Sequence, residues 1–352
     1  MRILGIESSC DETAAAVLDS RGNVLSSIVA SQVASHAPYG GVVPEIAARH
    51  HLEAIEIVVE QALREARLAL EHIDGIAVTR GPGLVGCLLV GVSYARGLAW
   101  RLGVPVVGVN HLAGHIASGW IDRPRLPYPA LALVVSGGHT AIWRVPEAGT
   151  FIQLARTRDD AAGEAFDKVA KMLGLAYPGG PVIDRLAPQG NPQGFTFGAV
   201  RIKGPPAFSF SGYKTAVRTH MRKSGIAPLA DAEEKPPQQM LDLIASFRYS
   251  VVRELIRRTR EAMDGDRPRS LVLAGGVAAN RLLRGEITQL ADAYGVALSI
   301  PAFRYCADNA AMIALAGRER LLEGEDDIDR LDAAAGLPLG VGANTQPSRR
   351  HR

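Results

Sequence analysis

The sequence lacks a long apolar run, and it is poor in cysteine and in aromatic residues, which make up 5% of its 352 residues. Glu7 interrupts the first apolar stretch after four residues, too few for the core of a secretory signal peptide. No other stretch approaches the roughly 18 uninterrupted apolar residues that span a bilayer. The three cysteines have no metal-type spacing, which predicts reduced thiols in the cytoplasm and no membrane association.

A strong excess of charge of either sign is also missing. The net charge of +3 and the pI of about 8.8 neither require nor exclude a nucleic-acid partner. Basic residues gather in three groups: Arg218, Arg222 and Lys223; Arg257, Arg258 and Arg260; Arg349, Arg350 and Arg352. Taken alone, each group is typical of a solvated face or a disordered end.

Apolar periodicity predicts two similar halves, each with short strands followed by strand–loop–helix units. In the first half we predict strands at 3–8, 13–18, 24–30, 75–79 and 105–109, and helices at 45–68 and up to 101. In the second half we predict strands at 130–135, 141–145, 151–157, 270–274 and 297–301, and helices at 163–173, 181–187, 238–263, up to 294, and 309–322. The repeat is one of architecture rather than of amino acids.

A proline-rich linker at 122–129 separates the two halves. We therefore place the first half at 1–128, the second at 129–325 and a tail at 326–352, each half being long enough for its own core. Residues 188–237 fit neither pattern and read as an insertion or a long loop. The expected architecture is α/β, with mixed sheets covered by helices and two halves facing each other across a cleft.

Four loops between predicted elements are rich in glycine and hydroxyl residues: ESSCDET, RGPGLVG, VSGGHT and AGGVAAN. Such loops present free backbone N–H groups that bind anions, and a loop that opens a helix adds the positive end of the helix dipole. None is a Walker A or a G-x-G-x-x-G motif. Four such loops, paired across two similar halves, favour a nucleotide in the cleft.

Several carboxylates lie in or beside these loops. Asp11 and Glu12 are in the first loop, where they act either as a general base, as a hold on metal or substrate, or only as caps of the local backbone. Asp167 lies near a predicted helix N-terminus, where acidic residues usually complement the dipole. Alternatively, Asp167 grips a ribose or the polar head of a small substrate, and Asp184 on the next helix acts likewise.

The sequence lacks the glutamate that a metallopeptidase needs beside its first histidine. His111 and His115 in HLAGH are four residues apart, near enough on one helix face to share a metal ion. The peptidase motif His-Glu-x-x-His takes its general base from the position occupied here by Leu112. Two imidazoles alone are an incomplete metal site, because most metal sites need a third protein ligand. The pair either belongs to a metal site whose other ligand lies elsewhere, or is simply two histidines on a helix. His139 is a further candidate ligand, or it orients its loop.

Nine motifs, spread in order over nearly the whole chain, together resemble the TsaD family of tRNA N6-adenosine threonylcarbamoyltransferases. They are GIESSCDET, YGGVVPEIAARHH, RGPGLVG, NHLAGHI, VSGGHT, DDAAGEAFDKVAKMLGL with YPGG, FSFSGYKTA, AGGVAANRLLR and CADNAAMIA. The resemblance is specific because it rests on many separate motifs.

The resemblance implies two ribonuclease-H-like halves of the actin, Hsp70 and sugar-kinase type, facing across a nucleotide-binding cleft. It implies transfer of a threonylcarbamoyl group from threonylcarbamoyl-AMP to N6 of the adenosine 3′ of the anticodon, in tRNAs that read codons beginning with A. Besides tRNA and threonylcarbamoyl-AMP, the implied partners are a TsaB-like paralogue and a TsaE-like ATPase.

Site residues are carried over by position. The implied ligands of one divalent metal ion are His111, His115 and Asp308, a set that suits Fe(II), with Zn(II) as the alternative. Asp11 and Glu12 take the acidic positions near the chemistry. The implied substrate contacts are Val134, Val135, Ser136, Gly137, Gly138, Asp167, Gly180, Asp184 and Asn280. Many relatives carry Glu where this chain has Ala113, but that Glu is not a ligand, so we expect an intact metal site.

Three other functions make different predictions. A zinc peptidase requires a glutamate next to His111, which the sequence lacks. An ATP-dependent sugar kinase on the same fold has no role for His111 and His115. An inactive scaffold of this fold typically loses the metal histidines, which this chain keeps.

Overall fold

The computed structural model describes residues 1–121, 123, 125–198, 206–232 and 234–342. Parts of the predicted linker (122 and 124), of the predicted insertion (199–205 and 233) and of the predicted tail (343–352) lie outside the described residues. Within the described ranges, none of the helices has both the length and the apolar character needed to cross a membrane.

The first sheet has five strands in the order β3-β2-β1-β4-β5. They are β1 (Arg2–Glu7), β2 (Glu12–Asp19), β3 (Val24–Ser31), β4 (Gly75–Gly81) and β5 (Val106–Asn110). β2 is antiparallel to β1 and β3, whereas β4 is parallel to β1 and β5. Ile3, Leu4 and Ile6 are all fully buried, because helices cover both faces of this sheet and no alternation is required.

The second sheet repeats this order and these directions. Its strands are β6 (Ala130–Val135), β7 (Thr140–Val145), β8 (Ile152–Thr157), β9 (Ala207–Phe208), β10 (Ser270–Ala274), β11 (Ala297–Ser299) and β12 (Val341–Gly342). The order is β11-β10-β6-β7-β8-β12, with β9 also paired to β8. Strands β8, β7, β6, β10 and β11 therefore correspond to β3, β2, β1, β4 and β5, which confirms the predicted repeat of architecture.

The α-helices of the described residues have these bounds: α1 (Val33–His36), α2 (Pro44–Glu65), α3 (Val85–Leu102), α4 (His111–Ala117), α5 (Ala162–Met172), α6 (Gly179–Leu186), α7 (Ser211–Ser224), α8 (Gln238–Asp266), α9 (Arg281–Tyr294) and α10 (Ala310–Leu322). Helices α2 and α3 cover one face of the first sheet. Helices α5, α7, α8 and α9 cover one face of the second. Helices α1 and α7 were not predicted from the sequence.

The last helix of each half packs on the sheet of the other half. Helix α4 follows the first sheet in sequence, yet Leu112 and Ile116 are buried against β6, β7 and β10. Helix α10 follows the second sheet, yet its alanines and Ile313 pack on β1, β2, β4 and β5. The prediction that helix 309–322 completes the second half is therefore wrong, because its apolar residues match the uncovered face of the first sheet.

Helices α4 and α10 also pack against each other, at very short range. A Cβ atom added at Gly114 in α4 would lie 2.6 Å from the Ile313 side chain. A Cβ atom at Gly5 in β1 would lie 2.2 Å from the carbonyl oxygen of Ala310. Only glycine permits such close approach, so these two positions determine where α10 sits between the halves.

The described part of the predicted tail is a strap that touches both halves. Asp327 is buried and accepts hydrogen bonds from the Gly108 N–H and from Arg320. Leu331 is buried in the core beneath α2 and α3, and β12 then pairs with β8 of the second sheet. Residues 326–342 are thus an ordered connection between the two halves.

The described part of the predicted insertion contains helix α7, and the carboxylate of Asp159 holds the start of this helix in place. Asp159 accepts hydrogen bonds from the backbone N–H of Phe210 and from the hydroxyls of Ser209 and Ser211. Tyr213 and Val217, one turn apart, are buried in the core of the second half. The described part of the insertion therefore includes an anchored helix, and α7 packs against α5.

Candidate active site and metal centre

A cavity of about 700 Å³ opens between the two halves, within the usual size range of small-molecule and cofactor sites. Residues from both sheets line it, including the loop after β1, the loop between β6 and β7, and the loop after β10. These are the loops that the sequence singled out as anion-binding.

Most of the predicted site residues meet in this cavity. Those that line it are Asp11, Glu12, His111, Ser136, Gly137, Gly138, Asp167, Gly180, Asp184, Asn280 and Asp308. Val134 and Val135 are not among the lining residues, because both side chains are fully buried within strand β6. His115 is buried behind His111.

The three expected metal ligands lie together where α4 meets α10. The Nε2 atoms of His111 and His115 are 3.5 and 3.2 Å from Oδ1 of Asp308. Two ligand atoms at Zn–N or Zn–O distances in a tetrahedral site are roughly 3.4 Å apart, so this spacing fits a single ion. Among the described residues, these three form the one cluster of at least three candidate ligands.

An orphaned imidazole supports the same assignment. His115 is completely buried, and neither of its ring nitrogens has a hydrogen bond of good geometry to another described residue. Buried polar atoms without a partner are costly and rare, whereas a metal ion would satisfy Nε2. The donor set of two imidazoles and one carboxylate therefore fits a divalent transition metal.

Glu7 orients His111 from the side away from the cavity. Its carboxylate is fully buried and lies 3.0 Å from Nδ1 of His111, while also accepting hydrogen bonds from the Thr79 hydroxyl and the Ser9 N–H. Because a carboxylate only accepts, this contact keeps the proton on Nδ1 and turns the Nε2 lone pair towards Asp308. Carboxylate–histidine–metal arrangements use the same contact.

Charge coupling across this cluster is strong. Burial would lower the pKa of His111, but the carboxylates of Asp308 and Glu7 outweigh it and raise that pKa to about 9. Burial would raise the pKa of Asp308, but His111 and His115 hold it well below its ordinary value. A divalent ion would therefore compete with a proton at His111.

Sequence reasoning missed Glu7 as a functional residue. Its signal was present: a single carboxylate in an otherwise apolar strand, where a buried charge is costly unless it is paired. The pairing partner, His111, is more than a hundred residues away, so the sequence alone did not reveal it.

The loop that carries Asp11 and Glu12 is braced by a buried histidine on α2. His51 hydrogen-bonds through Nε2 to the Cys10 carbonyl and through Nδ1 to the Thr13 hydroxyl. Burial, followed by the nearby charges of Asp308 and Asp11, raises the pKa of Glu12 to about 9. At pH 7 a carboxyl with so high a pKa is protonated, so Glu12 is a hydrogen-bond donor in this loop and leaves proton acceptance to Asp11.

The glycine loops leave room where a ligand would bind. A Cβ atom at Gly137, Gly138 or Gly180 would meet nothing within 4 Å, although all three positions line the cavity. Residues at or next to the starts of α3, α5, α6 and α9 also form part of the lining. Several helix N-termini directed at one space make it favourable for an anion.

The other residues predicted to contact the substrate already bond to groups of the protein itself. Asp167 accepts a hydrogen bond from the Gly179 N–H, and Asp184 is paired with Arg248 at 2.9 Å. Asn280 caps α9 by accepting from the Leu283 N–H. Each still lines the cavity, so each holds an element in place as well as facing the ligand space.

His139 lines the same cavity as His111 and Asp308. Its backbone carbonyl accepts from the Ser136 N–H, which closes the VSGGHT turn. Burial, and then the charges of His111 and His115, lower the pKa of His139 to about 4, so this imidazole is neutral at pH 7.

Comparisons with known proteins show which family this chain is similar to. Residues 23–315 match the model of the TsaD family, described as tRNA N6-adenosine threonylcarbamoyltransferase. A protein of that name from Geobacter sp. (strain M21) is 52% identical over 340 residues, which cover 96% of this chain and 97% of that protein. One from Thermodesulfovibrio yellowstonii is 48% identical over 339 residues, covering 96% and 100%.

Two solved structures show the same fold at low sequence identity. T. kodakarensis HypF has a TM-score of 0.61 at 15% identity, with 93% of this chain and 48% of that chain covered. Component A of (R)-2-hydroxyglutaryl-CoA dehydratase from Acidaminococcus fermentans has a TM-score of 0.54 at 16% identity, with 92% and 99% covered.

Fold and cavity together define a two-lobed α/β protein of the actin, Hsp70 and sugar-kinase class, as the sequence predicted. The chain belongs to the TsaD family of tRNA N6-adenosine threonylcarbamoyltransferases. It is therefore a transferase that modifies tRNA.

Proposed function

We propose that this transferase takes the threonylcarbamoyl group from threonylcarbamoyl-AMP and places it on N6 of the adenosine 3′ of the anticodon, in tRNAs that read codons beginning with A. The observation that carries the proposal is the convergence of a three-ligand metal cluster, a carboxylate pair and open glycine loops in one cavity. A peptidase is disfavoured because Leu112 and Ala113 leave no general-base carboxylate in HLAGH.

We propose that His111, His115 and Asp308 hold one divalent ion, Fe(II) with Zn(II) as the alternative. When bound, such an ion supplies Lewis-acid polarisation of the carbamoyl group and a fixed orientation for it. Glu7 holds the His111 imidazole in the ligating tautomer.

The AMP part of the donor is assigned to the glycine loops. Gly137 and Gly138 leave space and free backbone around the cavity, and helix N-termini face the same region. These features suit a phosphate that gains negative charge as it leaves. Asp167 and Asp184 are placed to contact the polar edge of the nucleotide.

The reaction forms a bond between N6 and the carbamoyl carbon and breaks the bond from that carbon to the phosphate oxygen. AMP departs with the electron pair, and N6 loses one proton. Asp11, in the same loop as Glu12, accepts that proton. Because the exocyclic amine is a weak nucleophile, holding it close to the carbonyl supplies much of the rate.

Turnover is proposed to require a TsaB-like paralogue and a TsaE-like ATPase. Helices α2 and α3, on the outside of the first half, expose several apolar side chains that a protein partner would cover: Leu52, Ile57, Val85, Leu89 and Trp100. Trp100 is 85% exposed. Large exposed aromatic residues are characteristic of protein interfaces.

The function is tested by incubating the purified chain with unmodified tRNA and threonylcarbamoyl-AMP, with and without the two partners, and measuring the modified nucleoside by mass spectrometry. We expect product with wild type, and loss of both product and bound metal in Asp308→Ala. His139→Ala serves as the control and should keep its metal. Full metal occupancy in a folded Asp308→Ala variant would show that the ligand set is wrong.

A further inference from the structure

The positive charge of the chain is concentrated in the insertion. Residues 188–237 contain seven lysines and arginines and three acidic residues, a net charge of +4, so the rest of the chain carries −1. Helix α7 alone contributes Lys214, Arg218, Arg222 and Lys223 and has no acidic residue. Helix α7 is therefore a local concentration of positive charge on a protein whose other residues together are close to neutral.

Helix α7 presents these cations to solvent. Tyr213, Val217 and Met221 anchor one face in the core of the second half. Arg218, Arg222 and Lys223 are exposed, and Arg218 and Arg222 are neighbours on the helix surface at a spacing of four residues. No ion pair to another described residue engages any of them, so their charge is available to a partner.

The second basic group on the sequence is different. Arg257 is 2.6 Å from Glu254 and 2.5 Å from Glu261, and Arg258 is 3.1 Å from each of the same two carboxylates. Two of its three cations are therefore neutralised within helix α8. The structure thus ranks two groups that the sequence left equal.

The position of α7 suits a substrate that enters the cavity. The Asp159 hydrogen bonds fix the start of α7 next to the loop that precedes α5, and α7 packs against α5. Helix α5 supplies Gly163, Phe166 and Asp167 to the cavity lining. Packed helices lie roughly 8–10 Å apart, so α7 is the neighbour of a helix that lines the reaction space.

We infer that the outer face of α7, formed by Arg218, Arg222 and Lys223, binds backbone phosphates of the tRNA that flank the reacting adenosine. This inference rests on the proposed function, since it assumes that an adenosine of tRNA enters the cavity. Exposed arginines and lysines bind such phosphates without reading the base sequence. The surface therefore positions the tRNA and leaves the choice of nucleotide to the cavity.

The test compares the wild-type chain with Arg218→Gln/Arg222→Gln, using tRNA binding measured by fluorescence anisotropy between 50 and 300 mM KCl. Arg64→Gln/Arg101→Gln is the matched control, because both arginines are exposed at the ends of α2 and α3 and the change in charge is the same. A second variant, Arg218→Lys/Arg222→Lys, keeps the charge.

We expect the α7 glutamine variant to bind tRNA about tenfold more weakly at 0.1 M salt, with a salt slope smaller by about 1.4–1.8, the value for two lost phosphate contacts. The control and the lysine variant should keep the wild-type slope. AMP binding by calorimetry should be unchanged in all of them, which separates tRNA docking from the cavity.

Two results would overturn the inference. One is a glutamine variant whose tRNA affinity and salt slope equal those of the control, while wild type still forms the modified nucleoside; the proposed function would then stand without α7. The other is weaker binding with an unchanged slope, because phosphate neutralisation must appear in the slope. Failure of wild type to modify tRNA would instead count against the proposed function.

Discussion

At the scale of single residues, Glu7 is a buried carboxylate in contact with His111, one of the proposed metal ligands. It is the only acidic residue of strand β1, and it is surrounded by donors: the imidazole of His111, the Thr79 hydroxyl and the Ser9 N–H. A glutamine at this position would replace one accepting oxygen by a donating NH₂ group. The His111 tautomer that exposes Nε2 would lose its support.

We predict that Glu7→Gln weakens zinc binding by about 10- to 100-fold, the usual effect of removing a carboxylate that orients a ligand histidine. The measurement is a competition titration with a chelator at pH 8, with folding checked by thermal melting. Thr79→Val is the control, because it removes a donor to Glu7 without touching the imidazole. Wild-type zinc affinity in Glu7→Gln would contradict the role of Glu7.

Metal affinity should also depend on pH in a stated direction. Asp308 and Glu7 raise the pKa of His111 to about 9 against the effect of burial. In the metal-free protein at pH 7, Nε2 of this ring therefore carries a proton in addition to the one on Nδ1. A metal must displace that proton. Affinity should therefore rise from pH 7 to about 9, and in Glu7→Gln the rise should end at lower pH because one raising charge is gone.

At the scale of elements, the loop between β6 and β7 has a shape that only glycine leaves open. Gly137 lines the cavity and a Cβ atom there meets nothing within 4 Å, whereas one at Gly163, on the neighbouring helix, would lie 2.5 Å from the Ser136 carbonyl. The two glycines thus have different purposes. Gly137 leaves space for a ligand, and Gly163 lets α5 approach the loop.

We predict that Gly137→Val reduces AMP affinity at least tenfold without lowering the melting temperature, because the new side chain occupies ligand space and no protein atom has to move. Calorimetry measures the first effect and thermal melting the second. Gly285→Val, on the exposed side of α9, is the control of equal size. Normal AMP binding in a folded Gly137→Val variant would remove this loop from the nucleotide site.

At the scale of the whole molecule, the strap at 326–342 links helix α4, which carries His111 and His115, to both halves. The Asn110 side chain caps α4 by accepting from the Leu112 N–H, while its amide nitrogen donates to the carbonyls of Leu337 and Pro338 at 3.2 and 3.3 Å. One residue therefore connects the start of HLAGH to the strap. Its two functions can be separated by a single substitution.

We predict that Asn110→Asp keeps the cap and the bound metal but releases the strap, because a carboxylate accepts like an amide oxygen but cannot donate. Hydrogen exchange should become faster at the amides of Ala334 and Leu337, and the variant should lose about 1–3 kcal/mol of stability. Unchanged exchange at those two amides would show that Asn110 does not hold the strap. Wild-type metal content serves as the internal control.

Much of the fold was readable from local patterns. Strands such as Ala130–Val135 and helices such as Gln238–Asp266 agree with the predictions to within a few residues, because apolar periodicity and the loops that interrupt it are local properties. Helix α7 was missed because its segment is rich in glycine and proline before Ser211 and its buried face has only three apolar residues. Asp159, far back in sequence, provides the anchor that starts it.

The sequence by itself determined the two similar halves, the glycine loops and, through the resemblance, the family and the identities of the expected metal ligands. Only the tertiary structure decided which sheet α10 covers, where Glu7 points, that Val134 and Val135 stay in the core, and which basic group is free. Each of these depends on contacts between residues far apart in sequence. Burial, close approach at Gly5 and Gly114, and the pairing of arginines with glutamates exist only once the chain has folded, so no local pattern encodes them.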